Sequence, residues 1–171
     1  MTLTADAKRE VRELHAFFQR WFRGESDEGE SNESDGSESH ETDTGESTSA
    51  GAGAVVGFDH PEASLSASFR MVPPDGSETT REPVLESIRA SRGGDADSEP
   101  PFRIEIRDLR ALTTTDDYCQ LTYEEWQRRD GEWSGRRSTA LFRRDETAPN
   151  GVVWVDLHET WIEGRDEPPT E

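Results

Sequence analysis

Three side chains could carry acid–base chemistry in this sequence: Tyr123, Glu125 and His158. Tyr123 and Glu125 are two residues apart in an alternating stretch, so a strand there points both the same way, together with Cys119 and Leu121. A phenol beside a carboxyl group in apolar surroundings can polarise a carbonyl and move a proton. Equally, Glu125 can form an ordinary cross-strand ion pair with an arginine such as Arg137. His158 lies in the run Val152–Ile162 and, in a regular strand, shares a face with Trp154, Asp156 and Thr160. An imidazole titrating near neutrality suits a general base, and the same residue serves as a sheet residue tied by one hydrogen bond. The expectation is that His158 faces inward and that Glu159 and Trp161 face outward. Arg136 and Arg137 alternate, so one of them can grip a carboxylate with two parallel hydrogen bonds. Arg137, Thr139, Trp154, Phe69 and Trp21 are the residues expected to line a ligand pocket.

The spacing argues against resident metals and cofactors. Asp156, His158, Glu159 and His40 follow no metal-ligand pattern, there is no HExxH, and the acidic tract lacks the fixed turn of a calcium loop. Gly51-Ala52-Gly53 follows no strand and makes no phosphate loop. Cys119 is the only cysteine, which excludes a disulfide framework and a cysteine-based metal site.

The elements that must hold these residues can be read from periodicity. Val11, Leu14, Phe18, Trp21 and Phe22 recur at helical spacing over 5–23, with Thr4 as N-cap and Gly24 as stop. Leu65, Ala67, Phe69 and Met71 alternate with polar residues, which predicts a half-buried strand. Val72-Pro73-Pro74-Asp75-Gly76 is a turn, and a second helix begins after Thr80, carries Val84, Leu85 and Ile88, and ends at Gly93-Gly94. Four strands follow, at 102–107, 118–127, 134–143 and 152–162. Asp130-Gly131 and Asn150-Gly151 mark short connections, hence an antiparallel meander. A bulge near Asp108 or Tyr118 would exchange the faces assigned here.

Composition sets the surroundings. The 171 residues fit one domain, at 1–165, with 166–171 as a flexible tail. There are 38 acidic and 19 basic residues; ten acids and no Lys or Arg fall between Glu25 and Glu46, leaving 28 acids against 19 bases elsewhere. Residues 25–52 are too polar to bury apolar area and are expected to be a disordered acidic insertion. Lys8 is the one lysine among the 19 basic residues. A carboxylate-rich surface with arginine largely in place of lysine fits molar salt, where a Debye length of roughly 3 Å removes self-repulsion. The absence of a basic stripe argues against nucleic acid, and no run reaches the ~20 apolar residues of a membrane span. The polar N-terminal stretch is not a secretion signal, so the expected compartment is the cytoplasm.

This order of elements, with Tyr123-Glu124-Glu125-Trp126-Gln127, Ser138-Thr139-Ala140-Leu141-Phe142 and Leu157-His158-Glu159-Thr160-Trp161, resembles the nuclear transport factor 2-like superfamily. Within it the pattern is similar to SnoaL-like and DUF4440 domain proteins, of a halophilic archaeal type. The resemblance covers 5–23 and about 58–162. It implies an α+β fold: a cone-shaped, strongly bent antiparallel sheet packed on N-terminal helices, the NTF2-like or cystatin-like roll. It also implies a pocket in the cone and a homodimer. Fold does not choose function within such a group. Three expectations follow: binding of a small organic molecule in the pocket, an isomerase or cyclase of the ketosteroid-isomerase or SnoaL kind, or a dimeric assembly module whose pocket is filled by its own aromatics.

Overall fold

The computed structural model describes residues 1–25 and 57–170. The acidic insertion expected over 25–52 therefore lies, apart from Glu25, outside the described residues. Helix α1 (Leu3–Arg23) begins two residues earlier than expected, because Thr2 rather than Thr4 is the N-cap and accepts a hydrogen bond from the Ala5 amide. Gly24 adopts φ +74° and closes the helix. The free carbonyls of the last turn are met from the loop after α3: Gly93 N–H donates to Trp21 and Asp95 N–H to Phe22. A short helix α2 (Asp59–Ser64), not foreseen from periodicity, runs directly into β1 (Leu65–Val72). The two-residue β2 (Thr79–Thr80) pairs with β1 and leads into α3 (Arg81–Ala90).

The rest is the meander: β3 (Arg103–Thr114), β4 (Tyr118–Arg129), β5 (Glu132–Arg144) and β6 (Val152–Trp161). The six strands make one sheet in the order β2-β1-β6-β5-β4-β3, curled but unclosed, with the helices inside the curl. This is the α+β cone expected. One correction applies: the sheet is mixed, because β1 runs parallel to β6. A parallel neighbour needs a long crossover, and four strands separate β1 from β6 along the chain. The β4–β5 turn uses Asp130 (φ +51°) and Gly131 (φ +83°), the pair of left-handed residues a two-residue hairpin requires.

Two irregularities decide which side chains face inward. In β3, Asp108 takes φ +50° and the register with β4 shifts between Arg107 and Arg110. In β6, Trp154 is opposite Phe142 while Asp156 is opposite Leu141, so Val155 is an extra residue and parity changes there. Inside the curl α1 packs Ala7, Val11, Leu14, Phe17 and Trp21 into a core with Leu121, Tyr123, Phe142 and Trp154. No helix among the described residues is long and apolar enough to cross a membrane.

The outer face is partly covered by the chain end. Arg165 reaches Glu124 at 2.6 Å and stacks over the Trp126 ring, and the Pro169 carbonyl meets Arg107. Beneath them Gly135 admits Trp126: an added Cβ would stand 2.7 Å from three indole carbons. Gly135→Ala is expected to destabilise the fold by about 1–3 kcal/mol through overpacking of this buried ring. Urea unfolding measures it, and an unchanged midpoint would show that Trp126 can shift freely.

Candidate functional site

A cavity of about 400 Å³ opens between α1, α3 and the inner face of the sheet. Most of its wall is apolar: Leu14, Phe18 and Phe22 from α1, Phe69 and Met71 from β1, Val84 and Ile88 from α3, Trp154 and Leu157 from β6. Its other side is a cluster of polar side chains, His15, Glu125, Gln127, Arg136 and Glu159.

His15 fixes the charge state of this cluster. Its Nδ1 lies 2.6 Å from the Val11 carbonyl oxygen, which can only accept, so Nδ1 carries a proton. Its Nε2 lies 3.1 Å from Glu125 Oε2. A neutral ring would present a lone pair to a carboxylate; the pair therefore holds imidazolium against carboxylate. Burial disfavours the charged ring, but the Glu125 charge and hydrogen bond raise the His15 pKa above its ordinary value. Glu125 is buried as well, yet His15, then Arg136 and a hydrogen bond from Gln127, bring its carboxyl down to about 2.

Glu159 has the opposite fate. Burial first, and the Glu125 charge second, push its carboxyl up to about 7, against the pull of Arg136, whose Nη1 donates to Glu159 Oε2 at 3.1 Å. Two carboxyl groups thus share one cavity wall and lose their protons in separate steps. Tyr123, on the same face of β4, is driven well above its ordinary pKa by burial and by both carboxylates, and stays neutral. Its Oη and the Ser138 Oγ are buried on residues paired across β4 and β5, and the Ser138 hydroxyl pulls the phenol the other way.

The structure places the residues singled out in the sequence as follows. Tyr123 and Glu125 do share the inner face, and Phe69 and Trp154 line the cavity. His158 does not: it is exposed on the outer face beside Thr139, because the extra Val155 reverses parity between Trp154 and His158. For the same reason Glu159 is inside. Arg137 and Thr139 are also outside; Arg137 pairs with Glu124 at 2.6 Å rather than with Glu125, and Arg136 is the arginine in the cavity. Trp21 is core, stacked on Phe17 and donating to the Ile88 carbonyl. His15 was missed. Its signal is a polar residue within the apolar stripe Val11, Leu14, Phe18, Phe22.

A second buried carboxylate braces the wall. Glu10 is fully buried and receives His60 at 3.0 Å, Asn150 Nδ2 at 2.7 Å and Trp154 Nε1 at 3.1 Å. Its carboxyl stays below the ordinary range: burial opposes ionisation, and the hydrogen bonds from His60 and Asn150, with the His60 charge, more than offset it. Among the described residues no group of three or more His, Cys, Asp or Glu converges as a metal site would require.

Residues 56–163, well over half the chain, match the family model described as sucrose-6-phosphate phosphohydrolase C-terminal. The chain belongs to this family. In three dimensions it is similar to an NTF-2-like protein of unknown function from Pseudomonas aeruginosa, at TM-score 0.68 and 23% identity, over 92% of this chain and 98% of the other. It is also similar to a CaMKII hub from S. rosetta, at TM-score 0.52 and 14% identity, over 61% of this chain and 82% of the hub. At these identities both comparisons speak to the fold alone, and that fold is the one expected from the sequence. No curated protein matches the family member in sequence.

The buried cluster makes stability depend on pH with a determinate sign. Between the ordinary carboxyl value, 4.5, and about 7 the native protein keeps the Glu159 proton and the unfolded chain does not, so stability falls as pH rises. The His15 contribution runs the same way: present below 6.5, it is lost as pH rises through the raised folded value. The Glu125 contribution is present above 4.5 and lost as pH falls towards about 2. Glu159→Gln is expected to remove the decline between pH 4.5 and 7, on the order of 3 kcal/mol, and to leave the acid limb. Urea midpoints at fixed salt test this, and a variant with the parental slope would assign the decline elsewhere.

Proposed function

We propose that this protein binds a small organic molecule, apolar along its body and polar at one end, in the cavity of the cone. The observation that carries the reading is the division of one cavity into an apolar wall and a hydrogen-bonding cluster, the usual make-up of a ligand site. The same opening weighs against a pocket filled by its own aromatics. An acid–base reaction is the second reading, favoured by one feature: Glu159, against the cavity and titrating near 7, is placed in the range where proton transfer in both directions is easiest. On that reading Glu159 carries the proton and Arg136 steadies the charge that develops, with Tyr123 and Glu125 behind them; His158, on the outer face, takes no part.

Filling the cavity tests both. Val84→Trp places an indole in the apolar wall and is expected to abolish binding of small apolar compounds while the far-ultraviolet circular dichroism is kept. Binding is read as a rise in melting temperature on ligand addition. A folded Val84→Trp variant that still gains the full shift would place the ligand elsewhere.

The protein is further read as a homodimer adapted to high salt. Leu112 and Tyr118 are half exposed where β3 meets β4, and they offer apolar area for a partner copy. The acid excess supports salt adaptation. A light-scattering mass of two chains in molar KCl is expected, with a melting temperature that drops on dilution to low salt. A single-chain mass, or a melting temperature indifferent to salt, would remove the corresponding half of this reading.

A further inference from the structure

We infer that the molecule bound in this cavity is a monocarboxylic acid, its carboxylate gripped by Arg136 with a hydrogen bond donated by Glu159, and its apolar body lying along α3 and β1. The inference rests on the reading of the cavity as a ligand site and adds the chemical class.

The argument starts from what is already spent. Glu125 has both oxygens engaged, one by His15 and one by Gln127. Arg136 has five N–H donors, and among the described residues its side-chain hydrogen bond is the single one to Glu159. Its remaining donors belong to a group that lines the cavity. A planar fork that lies over the Trp161 ring and makes one hydrogen bond within the protein suits a two-oxygen acceptor, which is what a carboxylate supplies.

Charge then selects among acceptors. With both carboxyls ionised, His15 and Arg136 balance Glu125 and Glu159. An incoming carboxylate restores that balance only if one of the two takes up a proton. Glu125 is held ionised by the imidazolium, so the proton goes to Glu159, which then donates to the ligand. A phosphate dianion would leave an uncompensated negative charge in a buried site, which is costly. The groups facing Glu159 that set this balance are His15 from α1, Tyr123 and Glu125 from β4, and Arg136 from β5. The wall of Phe69, Met71, Val84, Ile88 and Leu157 takes the body, and about 400 Å³ admits one medium-length chain or a pair of fused rings.

Decanoate and decanol make a matched pair of probes, titrated calorimetrically into the full chain at fixed salt from pH 6 to 8.5. The expected result is decanoate binding at least tenfold tighter than decanol. Its affinity should be level up to about pH 7, then fall about tenfold per pH unit with uptake of one proton. Glu159→Gln should bind decanoate without the fall. Equal affinity for the two probes, or decanoate affinity that ignores pH in the parent protein, overturns the carboxylate inference and leaves the cavity as a site for neutral ligands. Binding of neither probe overturns the ligand site itself. The parent protein decides these points without any variant.

Discussion

A carboxylate removed from water must be met by donors, and the first helix is arranged around that requirement. Glu10 and His15 both lie on α1, and both are buried against the sheet. Glu10 is met by a side chain from α2, one from the β5–β6 loop and one from β6. His15 meets Glu125 of β4. An unpaired buried charge costs several kcal/mol, so α1 can occupy only the position in which both sets of partners are reached. Apolar packing brings the helix to the sheet, and these two pairings fix its rotation and its height along the strands.

Trp154 joins the two sets. Its indole N–H donates to Glu10, its ring lies 6.2 Å from His15, and it lines the cavity. The brace on one side of α1 and the polar cluster on the other therefore share a wall. α2 is drawn into the same unit: His60 holds it to Glu10, Arg81 of α3 donates to the carbonyls of Glu62 and Leu65, and Pro61 lines the cavity. The cavity survives for a physical reason. The helices that enclose it are tied by polar contacts at their ends, so they cannot slide together to fill the space.

Much of the fold is legible in the letters, because period is a backbone property. The apolar stripe of α1, the alternation of β1, the Asp130-Gly131 turn and the four-strand meander are all visible in the sequence. The members of the buried polar cluster are not, since which side chains turn inward depends on parity. Val155 adds one residue to β6, and nothing in Val152-Val153-Trp154-Val155-Asp156 marks which valine is extra. That one residue puts His158 outside and Glu159 inside. The parallel pairing of β1 with β6 is equally silent, because it links segments some eighty residues apart whose compositions favour a strand in either direction. His15 could have been found by asking which polar residue stands on the apolar face of its helix and what it must bond to there.

The arrangement around Glu159 follows from where charge was already committed. β4 and β6 are separated by one strand, so Glu125 and Glu159 on their inner faces are close enough to repel, and Arg136 on the strand between them is a single cation for two anions. Adding His15 on the Glu125 side breaks the symmetry. One carboxyl receives an imidazolium and an amide and stays ionised; the other keeps only a share of the guanidinium and holds its proton to about pH 7. Had α1 carried an apolar residue at position 15, Glu125 would lose its imidazolium and both carboxyls would depend on Arg136 as their one nearby cation. The placement of one histidine on a helix, four residues from the carbonyl that accepts from its Nδ1, is therefore what divides two chemically identical side chains into a lasting anion and a titratable group facing the cavity.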